Sequence, residues 1–105
     1  MYRQGDVLIK RVKGLPKDLV EIKPDKQGKT ILVEGEATGH AHAFYDGTPI
    51  YEEPSTKKRF AVIEGGKTTS LLHEEHKPIH LPPGTYEIIR KKEYDWRGEE
   101  RYVRD

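Results

Sequence analysis

The chain has 105 residues, of which 33% are apolar and 35% are charged, and its formal net charge is +1 at pH 7. This length fits one domain with a single modest core, so we treat residues 1–105 as one domain. A net charge near zero creates no strong field that would attract nucleic acid or an anionic membrane, and we expect neither partner. Cysteine is absent, which excludes disulfides, thiolate metal sites and cysteine nucleophiles.

Short runs rich in β-branched and aromatic residues follow one another along the chain, with turn signals between them. In chain order, clear strands are predicted at residues 7–12, 30–33, 60–63 and 85–89. Weaker strands are predicted at residues 41–45, 50–51, 68–72 and 101–103. The best helix candidate is segment 15–22, but Pro16 and Pro24 limit it to one turn.

Two glycine-containing turns are predicted to close hairpins. The adjacent glycines of segment 64–67 supply the positive φ angles that primed turns need, and segment 46–47, Asp-Gly, offers a second turn of this kind. Many short antiparallel strands with frequent turns are typical of barrels and sandwiches. We therefore predict an all-β fold, a small antiparallel β-barrel or sandwich of about six to eight short strands.

The first of two histidine motifs lies at residues 39–42, Gly-His-Ala-His. In an extended strand, residues i and i+2 point to the same face about 7 Å apart. His40 and His42 would therefore project in parallel and converge on one ion. Glu36 lies on the same face if the strand continues through Gly39, which gives a Glu/His/His set.

The second motif, His-Glu-Glu-His at residues 73–76, leaves its geometry open. In a regular strand, His73 and His76 face opposite sides, so they share an ion only if the backbone bulges or turns between them. Alternatively, His76 shares a face with His80 while His73 shares the other with Glu75. The spacing does not match the zincin signature, which has two residues between its glutamate and second histidine. For His80 a structural role is favoured.

Several segments resemble a family of small, functionally uncharacterised bacterial and phage proteins: 3–7 (RQGDV), 35–42 (GEATGHAH), 73–76 (HEEH), 81–86 (LPPGTY) and 93–95 (EYD). The resemblance covers most of the chain and implies no activity. The His-Ala-His step and the Pro-Gly turn are also similar to those of cupins, which are small β-barrels that hold a divalent metal through strand histidines. The glutamate that cupins have after this step is absent here, where Asp46 is the nearest acid. Segment 6–12 resembles the first strand of the GroES-type co-chaperonin barrel.

We predict that the histidines bind a divalent transition metal, Zn²⁺, Ni²⁺, Fe²⁺ or Mn²⁺, because only nitrogen and oxygen ligands are available. The predicted metal ligands are His40, His42, His73 and His76. Glu36 or Glu75 would complete the ligand shell or act as a general base, and Glu75 is the candidate catalytic residue. Any chemistry would be that of metal-activated water or dioxygen on a small-molecule ligand. Whether the protein is an enzyme stays open at this point.

Two other classes of protein remain as alternatives. A non-enzymatic assembly or adaptor protein, related to phage, would use exposed strands to form a ring or to dock to a partner, and its histidines would be structural. A nucleic-acid accessory protein would use the aromatic and basic residues near Tyr94 and Trp96, but interleaved acidic residues cancel their field. A solvated, salt-bridged strand pair or a subunit interface is the better interpretation of this segment, and we expect a homo-oligomer. With no segment typical of a signal peptide or membrane span, we expect a cytoplasmic location.

Overall fold

The structure is a computed structural model that describes residues 1–34, 39–90, 92–94 and 100–102. These residues form twelve strands and no helix. The strands are β1 (Tyr2–Gln4), β2 (Val7–Arg11), β3 (Val20–Ile22), β4 (Thr30–Glu34), β5 (Ala41–Phe44), β6 (Ile50–Glu52), β7 (Arg59–Ile63), β8 (Thr69–Leu71), β9 (Ile79–Leu81), β10 (Gly84–Arg90), β11 (Lys92–Tyr94) and β12 (Glu100–Tyr102). The predicted all-β fold is confirmed, while the predicted number of six to eight strands is too low.

The largest sheet has six antiparallel strands in the order β1-β2-β10-β7-β6-β3. Strands β1 and β3 are its two edges, so the sheet is not closed into a barrel within the described residues. Strand β10 pairs with β2 on one side and with β7 on the other. Its side chains alternate between the two faces of the sheet, and Tyr86 and Ile88 point into the core.

Two further strand pairs pack against the large sheet. Strand β4 pairs with β5, and β8 pairs with β9. Reciprocal backbone hydrogen bonds of 2.9 and 3.0 Å join Ala43 to Leu72, so the two pairs lie side by side. One apolar cluster contains buried side chains of the large sheet and of both pairs, including Ile9, Phe44 and Leu71. The fold is therefore sandwich-like, with its core between the large sheet and the two pairs.

The predicted turns form, but the predicted hairpins do not. In segment 64–67, the Lys67 N–H donates to the Glu64 carbonyl at 3.1 Å, and Gly66 has a φ of +82°. However, β7 pairs with β6 and β10, whereas β8 pairs with β9. Segment 46–47 likewise connects β5 to β6, which do not pair with each other. Glycines allow the chain to reverse, but the burial of side chains decides which strand becomes the partner.

Segment 15–22, the helix candidate, contains no helical turn and ends in strand β3. The two prolines restrict the local backbone, and pairing with β6 then fixes residues 20–22 as a strand. Four residues named in the predictions lie outside the described residues or outside the described side chains. They are Glu36, the side chains of Tyr94 and Trp96, and the last residue of the strand predicted at 101–103.

The Asp25 side chain organises the loop between β3 and β4. Its Oδ1 accepts the backbone N–H groups of Lys29 and Gln27 at 2.9 Å each, and these bonds lower the pKa of Asp25 below its ordinary value of 3.8. The pKa of Asp25 is lower in the folded state than in the unfolded state. The two hydrogen bonds therefore stabilise the folded protein above about pH 4, and this stabilisation is lost as the pH falls through the folded-state pKa.

We therefore expect Asp25→Ala to lower the melting temperature slightly near neutral pH. At about pH 3 the difference from wild type should shrink, since this pH lies below the ordinary pKa of 3.8 and the stabilisation is lost as the pH falls toward the lower folded-state value. Thermal unfolding at the two pH values checks this. An equal difference at both would show that the ionised carboxylate does not stabilise the loop.

Candidate metal centre

The two histidine motifs, far apart in sequence, lie next to each other in the structure. Leu72 pairs with Ala43 of β5, and this pairing brings the following residue, His73, beside the first motif. The centroid of the His73 ring lies 5.5 Å from that of His40, 4.4 Å from that of His42 and 4.7 Å from that of His76. The imidazoles of the two motifs thus lie in one cluster.

Three side chains within the described residues are placed to offer ligand atoms to one ion: those of His40, His73 and Glu74. One nitrogen or carboxylate oxygen from each lies within 4.8 Å of the others. Tetrahedral Zn²⁺ with bonds near 2.1 Å has its ligand atoms about 3.4 Å apart. Small side-chain rotations would therefore bring the three atoms to bonding distance.

Glu74 was not among the sequence-predicted ligands. A regular strand places Glu75, rather than Glu74, on the face of His73. The chain instead bends at residues 74–76, and this bend turns Glu74 toward the first motif. The sequence left two geometries open for the second motif. The structure has the one in which the backbone is irregular between His73 and His76.

The Glu74 carboxylate connects the two motifs directly. Its Oε1 accepts the backbone N–H of Ala41 at 2.8 Å. This hydrogen bond is the main reason why the pKa of Glu74 lies below its ordinary value, and the neighbouring His73 and His40 lower it further. Glu74 is therefore an ionised oxygen donor, which a divalent cation prefers to a neutral carboxyl group.

The His40 ring has one nitrogen that lacks a partner in the described structure. Its Nδ1 is buried without a hydrogen bond, whereas its Nε2 lies 3.7 Å from Oε1 of Glu75. A buried polar atom without a partner costs about 1–3 kcal/mol, and a metal ion at Nδ1 would remove that cost. Metal-bound histidines commonly donate their other N–H to a carboxylate, and Glu75 lies on that side of the ring, at a distance longer than a hydrogen bond.

His76 and His80 differ in their surroundings. The Nε2 atom of His76 is also buried without a hydrogen-bond partner in the described structure. In contrast, the exposed His80 has its Nδ1 atom 2.7 Å from Oγ of Ser70, outside the cluster. The structural role predicted for His80 is consistent with this hydrogen bond.

His42 is fully buried, and both of its ring nitrogens face hydrogen-bond partners. Nδ1 lies 2.8 Å from Oε1 of Gln4, and Nε2 lies 3.1 Å from Oδ1 of Asp6. The other carboxylate oxygen of Asp6 accepts a hydrogen bond of 2.8 Å from Nε of Arg90. A metal ion could bind His42 in this arrangement only by displacing one of these bonds.

The partners of His42 come from the turn between β1 and β2. The pairing of Gln4 with Val7 leaves Gly5 and Asp6 as a two-residue turn, and Gly5 has a φ of +57°. Glycine at the first of the two central positions is typical of type II′ turns. Gly-Asp is a typical hairpin dipeptide between two strand-like runs, but only the run after it is apolar, and neither the hairpin nor the contacts of Gln4 and Asp6 with His42 could be predicted from the sequence.

A cavity of about 360 Å³ lies elsewhere in the molecule. It is lined by residues of segments 46–51 and 62–69, among them Asp46, Tyr51 and Lys67. None of the histidines lines it. The cavity is therefore separate from the cluster that has the candidate ligands.

These features define a small all-β domain in which a histidine–carboxylate cluster adjoins a buried polar network. Residues 3–91 match the model of a family described as a domain of unknown function, DUF8820. Because the match covers most of the 105 residues, the chain belongs to this family, in agreement with the predicted membership of an uncharacterised family. No curated protein and no solved structure matches the chain. The described residues include no helix that is long and apolar enough to cross a membrane.

Proposed function

We propose that the domain binds one divalent transition metal ion through His40, His73 and Glu74. The observation that supports this most strongly is the approach of three candidate ligand atoms to within 4.8 Å of one another, from two motifs that are distant in sequence. Two imidazoles and one carboxylate form a ligand set found in catalytic zinc sites and in non-haem iron(II) sites. Such sites keep open positions for water or a substrate.

The surroundings of the three residues support the same assignment. The unpartnered Nδ1 of His40 is the ligand atom that we assign to this ring, and Glu75 orients the ring from the side of Nε2. The Glu75 side chain is 62% exposed, so its carboxylate is also accessible as a general base toward a metal-bound water molecule. A metal lowers the pKa of its bound water, and a small molecule would reach it from the exposed side of Glu74 and Glu75.

His76 is the remaining candidate for a fourth ligand. Its ring centroid is 4.7 Å from that of His73, and its Nε2 lacks a hydrogen-bond partner in the described structure. Three protein ligands are typical of catalytic sites, and four are typical of structural sites. The variant His76→Ala therefore distinguishes the two types: a small change in affinity indicates an open site, and a large loss indicates a closed one.

A metal titration of chelator-treated protein tests the proposal. We expect one equivalent of Zn²⁺, Ni²⁺, Mn²⁺ or Fe²⁺ to bind, and we expect His40→Ala and Glu74→Gln to weaken binding by about 100-fold or more, since each removes one of three protein ligands. His80→Ala is the matched control, because it removes a histidine outside the cluster and should leave the affinity unchanged. Failure of all four metals to bind wild type would contradict the proposal, as would wild-type affinity in His40→Ala.

Metal binding should also break one hydrogen bond within the second motif. The Glu75 N–H donates to Nδ1 of His73 at 3.0 Å, and a neutral imidazole has only one nitrogen lone pair. A metal ion on either nitrogen needs that lone pair, so we expect the Glu75 N–H to lose its acceptor. NMR should show a large change in the Glu75 amide resonance on addition of one equivalent of Zn²⁺. An unchanged resonance at saturation would exclude His73 from the ligand set.

A further inference from the structure

The side-chain amide of Gln4 closes the base of the loop that contains the second motif. Its Nε2 donates two hydrogen bonds of 2.9 Å, one to the carbonyl of Leu71 and one to the carbonyl of Lys77. These two residues flank segment 72–76, which includes His73 and Glu74. Gln4 is 2% exposed, so water does not compete for either bond. One amide group thereby fixes both ends of the loop.

The same amide also contacts the first motif. The two groups that Nε2 contacts are carbonyl oxygens, which can accept a hydrogen bond but cannot donate one. The amide nitrogen must therefore face these carbonyls, and the amide oxygen, Oε1, must face His42. The Nδ1–H of His42 therefore donates to Oε1 at 2.8 Å. Gln4 thus joins β5 to both ends of the second motif through three hydrogen bonds.

The His42 ring extends this support to the candidate ligands. Its centroid lies 4.4 Å from that of His73. It is nearly parallel to the ring of His76, with 10° between their planes and 6.3 Å between their centroids. Because Gln4 and Asp6 each contact one nitrogen of His42, the ring has a fixed orientation, and the imidazoles of the loop pack against a rigid surface.

We infer that Gln4 is the positioning residue of the metal centre. This inference rests on the proposed function, and it assigns to Gln4 the task of fixing the distance between His40 and the loop ligands His73 and Glu74. Gln4 does not touch the ion. Loss of its amide would let segment 72–76 move relative to β5, so the ligand atoms would no longer be held in one arrangement. Outer hydrogen-bond partners of metal ligands typically contribute 10- to 100-fold to affinity.

The test uses Co²⁺, whose visible absorption reports the geometry of its ligands, with the variant Gln4→Met. We expect Gln4→Met to weaken Co²⁺ binding by about tenfold or more and to change the visible spectrum. The control is Thr30→Val, which removes a buried hydrogen bond of 2.7 Å to the carbonyl of Thr48, at the end of the β4–β5 pair away from His42. Thr30→Val should lose thermal stability while it keeps the wild-type affinity and spectrum.

A Gln4→Met protein with wild-type affinity and spectrum would overturn the inference while the proposed function stands. If wild type binds neither Co²⁺ nor any of Zn²⁺, Ni²⁺, Mn²⁺ and Fe²⁺, the proposed function fails, and the role of Gln4 fails with it. If Gln4→Met does not fold, the inference is tested on the wild-type protein by NMR. The side-chain N–H resonances of Gln4 should then shift at the same ratio of diamagnetic Zn²⁺ as those of the His73 ring, and unshifted resonances at saturation would overturn the inference.

Discussion

Asp6→Ala is expected to lower the free energy of unfolding by about 1–3 kcal/mol, because it removes the buried carboxylate that both His42 and Arg90 contact. Asp6 is 0% exposed. One carboxylate oxygen accepts the Nε–H of Arg90 at 2.8 Å, and the other faces Nε2 of His42 at 3.1 Å. Domains of this kind have only about 5–15 kcal/mol of total stability, so this loss would be a measurable part of it. Urea denaturation followed by circular dichroism measures it.

Two other aspartate variants serve as controls for this measurement. Asp6→Asn keeps the shape of the side chain and should lose less stability than Asp6→Ala. Asp25→Ala removes an exposed aspartate whose bonds are confined to one loop and should have a small effect. A loss below about 1 kcal/mol in Asp6→Ala would be that of an ordinary hydrogen bond, and it would contradict the stabilising role of the buried pair.

Zn²⁺ should raise the free energy of unfolding of the wild-type protein by an amount comparable to the loss expected in Asp6→Ala. Binding to the native state alone contributes about 2.7 kcal/mol when free Zn²⁺ is 100 times the dissociation constant. For a domain near 100 residues this corresponds to an increase of about 10 °C or more in melting temperature. Excess chelator should reverse the increase, and calorimetry measures both changes.

The variant His40→Ala separates specific binding from general effects of the metal. It should show no Zn²⁺-dependent increase, because it lacks the ligand atom that connects the first motif to the ion. His80→Ala should retain the full increase. A wild-type melting temperature that does not respond to Zn²⁺ would count against the metal centre.

The sequence allowed a correct prediction of the fold class because most strands contain their own signal. Strands β2, β4, β7 and β10 have five to seven residues with apolar and β-branched side chains, and such runs favour strands without help from distant residues. The strands that were missed, such as β1, β3 and β9, have three residues each. Runs this short become strands only because a partner strand lies beside them, and strand pairing is not local information.

The site was predictable only in part, for the same reason. Clustering of histidines correctly indicated one shared location, but the backbone pairing of Ala43 with Leu72 determines which side chains meet there. The bend at residues 74–76 places Glu74 as well as Glu75 beside the imidazoles. The burial of Gln4 and Asp6 beside His42 depends on the β1–β2 turn meeting β5, a contact across more than 30 residues of sequence.

Three functional expectations from the sequence stay predictions: a homo-oligomer, a small-molecule ligand and a cytoplasmic location. Sedimentation measures the mass of the protein in solution and therefore tests the first expectation. The second depends on the metal centre, because the exposed side of Glu74 and Glu75 is where such a ligand would approach the ion.

The position of a bound ion tests the central claim most directly. Crystals grown with Zn²⁺ should show one anomalous difference peak at the zinc edge, within about 2.0–2.2 Å of ligand atoms of His40, His73 and Glu74. The Nδ1 atom of His40 should be among them, and His42 should keep its hydrogen bonds to Gln4 and Asp6. A fully occupied peak that is bound by His42 instead, or the absence of any peak at this cluster, would contradict the account.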